Sequence, residues 1–174
     1  QKFVSKSRTI TETDIINFAG VSWDHNQLHT DAEYAAGTTY GKRIAHGLLG
    51  VIAHAGLSYQ LTEDSILALL ELNWKFHLPI CIGDTIHVEQ KVRDLRESAT
   101  GNRGILTFEK ELKNQNDEVV QTGMTTILVA KKESEYGLTV VADALDSPEN
   151  APAPKGPRVE RLVPVPKIAL ELSK

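Results

Sequence analysis

Hydrophobic and polar positions divide this 174-residue chain into two stretches of different period. Up to about residue 60 the apolar positions recur at helical spacing. Thr11-Glu12-Thr13-Asp14 sets a capping hydroxyl and acids ahead of Ile15, Ile16 and Phe18, and Gly20 is the expected stop. Thr30, with Glu33 three residues on, predicts a second capped start before Tyr34-Ala35-Ala36. Val21 to His29 reads as loop between them. A third helix is predicted from about Gly47 to Leu61, where Leu48, Leu49, Val51, Ile52, Ala53, Ala55 and Leu57 put apolar or small groups on nearly every face. A helix apolar all round is expected to be buried. At about 1.5 Å per residue it spans about 22 Å.

Beyond it the period falls to two. Leu72, Trp74, Phe76 and Leu78 alternate with Asn73, Lys75 and His77, and Pro79 to Gly83 ends the run. Asp84 to Val92, Ile105 to Leu112 and Val119 to Ala130 read as further strands, with Asn114-Gln115-Asn116-Asp117 as a turn. The economical packing is α+β: an antiparallel sheet of four or more strands around one buried helix. Composition then changes. Six of the seven prolines lie between 148 and 166; residues 133–154 hold five acids and no Lys or Arg, and 155–174 hold five bases and two acids. The domain is therefore read as 1–132 and an extension as 133–174. The apolar stretch from Leu162 to Leu172 is expected to dock on its own domain or on a partner subunit.

Charge and cysteine content narrow the chemistry. A net charge of −4 argues against a nucleic-acid binder, which needs a concentrated basic face. Cys81 is the one cysteine, which excludes a disulfide framework and a multi-cysteine metal site and fits a reducing, cytoplasmic location. No apolar run approaches the roughly 20 residues needed to span a bilayer, and no signal peptide is read.

Four of six histidines (His25, His29, His46, His54) fall within thirty residues, beside Asp24, Asn26, Asp31 and Gly47. Asp24 and His29 would stand about 140° apart on a regular helix, so they converge only in an irregular segment, which Asp24-His25-Asn26 can supply. A carboxylate and an imidazole in an apolar pocket can hold one water and move its protons. Gly47, at the start of the apolar helix, can offer its N–H to a developing oxyanion.

The run Phe18-Ala19-Gly20-Val21-Ser22-Trp23-Asp24-His25-Asn26-Gln27-Leu28-His29-Thr30-Asp31 resembles the signature of the MaoC-like, (R)-specific enoyl-CoA hydratases. Tyr34-Ala35, Tyr40-Gly41-Lys42-Arg43-Ile44-Ala45-His46-Gly47, Gly83-Asp84-Thr85 and the turn from Asn114 to Val120 continue it in order, so the likeness covers about 1–131. It implies a hotdog fold, a curved antiparallel sheet wrapped round a long central helix, in a homodimer, with a larger assembly open. It implies Asp24 and His29 as the catalytic pair, Asn26 as the residue orienting the water, and Gly47 as donor to the thioester carbonyl. The implied reaction is reversible syn hydration of trans-2-enoyl-CoA or acyl-carrier-protein thioesters to (3R)-3-hydroxyacyl thioesters, with no metal and no bound cofactor. One departure is Gln27, which stands where the family carries proline and leaves Asn26 without proline's restriction.

Other readings stand beside these. His25 and His29 with Asp24 and Asp31 have legal metal spacing but lack the glutamate of the zinc-protease motif. Lys42 and Arg43 are candidates for coenzyme A phosphates and Tyr40 for lining the pocket. His46 and His54 read as structural, and His77 and His87 as surface residues on strands. The rival functions are a hotdog thioesterase and a thioester-binding module without turnover.

Overall fold

The computed structural model describes residues 2–59, 65–99 and 103–130. In chain order its elements are β1 (Lys2–Val4), β2 (Arg8–Thr9), α1 (Glu12–Ser22), α2 (Gln27–Thr30), α3 (Ala32–Ala36), α4 (Gly47–Ser58), β3 (Ile66–Phe76), β4 (Thr85–Glu97), β5 (Arg103–Lys113) and β6 (Val119–Ala130). The extension 133–174, its docking segment and the expected end of the third helix at Leu61 lie outside the described residues.

Local chemistry starts each helix. Thr11 caps α1 in a capping box: its hydroxyl accepts from Asp14 N–H at 3.3 Å, and the Asp14 carboxylate accepts from Thr11 N–H at 2.8 Å. The Thr11 hydroxyl, which donates to Asp14 Oδ2 at 2.7 Å, then the Thr11 N–H, then the charge of Arg8, hold the Asp14 carboxyl below its ordinary range. Gly20 does not end α1. The helix runs on to Ser22 and stops at Trp23, whose φ of 62° is left-handed. The α3 cap is Asp31, one residue beyond the expected Thr30, because the Asp31 carboxylate accepts from Tyr34 N–H at 3.0 Å. Thr30 instead closes α2, a one-turn helix inside the stretch expected to be loop, where its hydroxyl donates to Asn26 O at 3.2 Å.

The four long strands form with β1 an antiparallel sheet in the order β1-β4-β5-β6-β3, and β2 also pairs with β4. β1 and β2 are too short to carry a period, so only their pairing with β4 makes them strands. Helix α4 lies on the sheet with Leu49, Ala53 and Leu57 packed against Ile86, Val88, Leu112 and Val120, which is the hotdog arrangement. A second cluster joins Leu106, Phe108, Ile127 and Val129.

Two expectations of burial need correction. Helix α4 is apolar all round, yet Leu48 and Ile52 are 60% and 58% exposed, because one sheet covers only one side of a helix. Strand β3 starts six residues before Leu72 and forms the sheet's edge, with Leu72 and Phe76 also exposed. His87 is half-buried and His77 exposed, its ring bonded to the Thr122 hydroxyl.

Candidate active site

The loop between α1 and α3 is made irregular by its own side chains. The left-handed Trp23 ends α1 and turns the chain, and Asp24 N–H then donates to Ser22 Oγ at 3.2 Å. Asp24 Oδ1 accepts from Asn26 N–H at 3.1 Å, an Asx turn. Asn26 Oδ1 in turn accepts from Leu28 N–H at 2.9 Å and caps α2. His29 is carried inward on that single turn. Its neighbour's carbonyl, Leu28 O, accepts from Ile44 N–H at 3.4 Å, and His29 Nδ1 meets Ile44 O at 2.8 Å. Ile44 bridges to Cys81, so the loop is tied to the sheet side of the molecule.

These contacts define proton positions. A carbonyl oxygen only accepts, so His29 Nδ1 carries the hydrogen and the neutral ring keeps its lone pair on Nε2. By the same argument His46 Nε2–H donates to Asp24 O at 2.8 Å. The two imidazoles stack with centroids 3.8 Å apart, and Phe18 packs at a tilt against His46. His46 thus clamps the Asp24 main chain next to His29 while serving as N-cap residue of α4. Its Nδ1 is buried without a partner among the described residues. One ligand atom each from Asp24, His29 and His46 lies within 4.8 Å of the others, with Asp24 exposed and both histidines buried. These three are close enough to share a cation; His25 and Asp31, from the metal reading, are not in the group.

Gly47 is the first residue of α4, so its N–H has no carbonyl a turn below it and sits at the positive end of the helix. It lines a cavity of about 360 Å³ together with His29, Tyr40, His46, Phe76 and Gln121. Of the remaining candidates, Asn26 is exposed and serves as the α2 cap, so its oxygen is engaged and its amide NH2 takes no part in the cap. Arg43 is in an ion pair with Glu12 at 2.6 Å, and Lys42 lies beside the Cys81 thiol; neither lines the cavity.

Sequence reasoning missed Gln121. This side chain is 2% exposed and donates through Nε2 to Gly47 O at 3.0 Å, while its Oε1 accepts from Trp74 Nε1 at 2.9 Å. Trp74 stacks on His54, with centroids 4.2 Å apart. The network needs two glycines. A Cβ on Gly50 would stand 2.4 Å from Gln121 Nε2, and one on Gly123 would stand 1.9 Å from the Trp74 ring. The available signal was the strand period of β6, which turns Gln121, Thr125, Ile127 and Val129 to one face.

Comparison with known proteins bears on the whole assembly. Residues 1–114 match the family described as MaoC like domain. The chain is 32% identical over 128 residues to 3-hydroxybutyryl-CoA dehydratase of Methylorubrum extorquens, covering 72% of this chain and 77% of that protein. It is 40% identical over 82 residues to protein MaoC of Klebsiella aerogenes, covering 47% of this chain and only 24% of that longer protein. The structure of the R-hydratase of Pseudomonas aeruginosa superposes with a TM-score of 0.64 at 30% identity, covering 75% of this chain and 81% of that one.

Proposed function

The chain belongs to the MaoC-like dehydratase family, and on that basis and the geometry at Asp24 and His29 we propose that it hydrates trans-2-enoyl thioesters reversibly to (3R)-3-hydroxyacyl thioesters. The observation that carries this reading is the meeting of His29 and Asp24: one ring nitrogen of His29 lies within 4.8 Å of an Asp24 carboxylate oxygen, and the contact of Nδ1 with Ile44 O assigns the hydrogen to Nδ1 and leaves Nε2 as the base. Gly47 N–H receives the thioester oxygen, which withdraws electrons from the conjugated alkene and makes C3 electrophilic. A water held between Asp24 and His29 then attacks. Its oxygen bonds to C3, His29 Nε2 and the Asp24 carboxylate share the hydrogens it brings, and one proton is delivered to C2 from the same face. One water is added across one double bond, and both groups return to their starting charge. Hydrolysis would direct the same water at the carbonyl carbon, releasing free thiol.

The carrier of the acyl group is coenzyme A or acyl carrier protein, with Tyr40 lining the pocket and Lys42 and Arg43, which do not line it, kept as candidate contacts for the carrier's phosphates. We further propose a homodimer. Among the described residues β3 is an edge strand with no neighbour on its outer side, and Leu48, Ile52, Leu72 and Phe76 leave exposed apolar surface on α4 and β3.

The test is loss of conjugated-thioester absorbance with crotonyl-CoA, with product chirality checked. Asp24→Asn and His29→Gln should each lower kcat by about 10²–10⁴. Appearance of free thiol without a 3-hydroxy product would replace hydration by hydrolysis, and turnover undiminished in both variants would refute the pair.

A further inference from the structure

The sheet face beneath α4 is not uniformly apolar. Along β5 the buried register reads Leu106, Phe108, Lys110, Leu112, so a lysine occupies a core position at 6% exposure. Gln90 stands directly opposite it on β4, and Thr125 lies on β6; both are buried. These three meet at a cavity of about 400 Å³ between α4 and the sheet, whose walls include Val51, Phe108 and Ile127.

The polar groups there are under-used. Lys110 Nζ donates to Ser58 Oγ at 3.0 Å and lies 5.4 Å from the centre of the Phe108 ring. Ser58 spends its own hydrogen on His54 O. Among the described residues no carboxylate pairs with Lys110, and Gln90 Oε1 and Thr125 Oγ1 have no hydrogen-bond partner. Burial pushes the Lys110 ammonium down to about 8, and His54, the imidazole lining the same cavity, down to about 4. Near neutrality the ammonium is therefore a cation whose counter-charge the described chain does not supply. An ammonium in an apolar-walled cavity costs free energy unless an anion joins it.

The cavity lies in line with the thioester site. Phe76 pairs with Gln121 at the first cavity and Leu72 with Thr125 at the second, four residues along one ladder, or about 13 Å. Helix α4 covers the same course from Gly47 to Ser58, about 16 Å. We propose that this second cavity receives the far end of the acyl chain, and that Lys110 selects chains ending in a carboxylate, with Gln90 and Thr125 completing the polar end. The proposal rests on the hydratase reading for the chemistry at the other end.

The experiment uses the intact chain and trans-2-enoyl-CoA thioesters of increasing length, each made with an ω-methyl and an ω-carboxyl terminus. Once the chain reaches the cavity, kcat/KM for the ω-carboxyl form should exceed that of the ω-methyl form by tenfold or more, mostly through KM. Lys110→Met should reverse the ratio, and Thr125→Val should reduce it. A wild-type preference for ω-methyl chains at every length, or a ratio untouched in a folded Lys110→Met protein, overturns the proposal. The wild-type ratio needs no variant, so a misfolded substitution does not obscure the result. If neither series is hydrated, the hydratase reading fails on its own. Titration of the saturated ω-carboxyacyl-CoA against its ω-methyl partner then decides the cavity: tighter binding of the carboxylate supports it and equal binding overturns it.

Discussion

Asp24 and Asn26 are shaped into a turn by side-chain hydrogen bonds that span only two residues. The His29 ring and the Asp24 carbonyl are held from Ile44 and His46, 15 and 22 positions away, and together these bonds let a four-residue helix present a histidine inward. Asn26 sits at φ −54° and ψ 134°, the extended geometry that a following proline would impose, although Gln27 follows it. Its side-chain cap on Leu28 does the work that proline would share. Gln27 is the first residue of α2, where proline is tolerated because that N–H has no helical acceptor. Gln27→Pro is therefore expected to stabilise the fold by about 0.4–1 kcal/mol, mainly by restricting the unfolded chain. Urea unfolding measures it, and a loss of stability would show that the Gln27 N–H has an acceptor. The departure noted in the sequence is thus compensated locally.

At the scale of elements, the N-terminus of α4 has to be fixed against the loop that bears Asp24 and His29. Two side chains do this from opposite sides: His46 holds the Asp24 carbonyl, and Gln121 holds the Gly47 carbonyl from β6. Gln121→Leu would remove the side-chain bond to Gly47 O and leave the half-buried Trp74 indole N–H without its acceptor, at about 1–3 kcal/mol for the indole. The expected result is a lower melting temperature together with a fall in kcat larger than any rise in KM, since the displaced group is a proposed oxyanion donor. Gln121→Glu, which keeps an acceptor for Trp74, should retain more stability than activity. Equal kcat in all three proteins would remove Gln121 from the positioning of Gly47.

Over the whole molecule, buried titrating groups set the response to acid. Burial first, then the Lys110 charge, lowers His54 from its ordinary 6.5 to about 4. The unfolded chain takes up this proton as the pH falls through 6.5, whereas the folded chain resists until about 4, so stability is lost across that window by a few kcal/mol. Glu89, held at about 2 by Lys2 and Lys113, adds a loss of the same sign as the pH falls below 4.5. Urea midpoints should drop steadily from pH 6.5 to 4, and less steeply in His54→Leu; a flat profile in the native protein would contradict the burial argument. The exposed apolar face of α4 belongs to this scale as well. Light scattering should give twice the chain mass, and Leu48→Glu with Ile52→Glu should yield a monomer with reduced turnover. An unchanged mass in that double variant would direct the dimer elsewhere.

What can be read without coordinates is whatever depends on neighbours along the chain. The period-two runs of β4 to β6, the apolar α4 and the Thr11 hydroxyl cap are all of this kind, because their hydrogen bonds and side-chain faces depend on a few successive residues. The likeness of the Phe18 to Asp31 run to a known signature made the hotdog fold and the Asp24–His29 candidates legible as well. Contacts between residues far apart in sequence were not legible. The two-residue β2 exists through its pairing with β4, the edge position of β3 leaves Leu72 and Phe76 uncovered, and Gln121 reaches Gly47 across 74 positions. Lys110 lies between the two cases: its register was visible in the alternation of β5, but the lack of an opposing carboxylate depends on which strands and helix surround it. Periodicity is a local property of the backbone, whereas the partner of a buried charge is chosen by the packing of the entire domain.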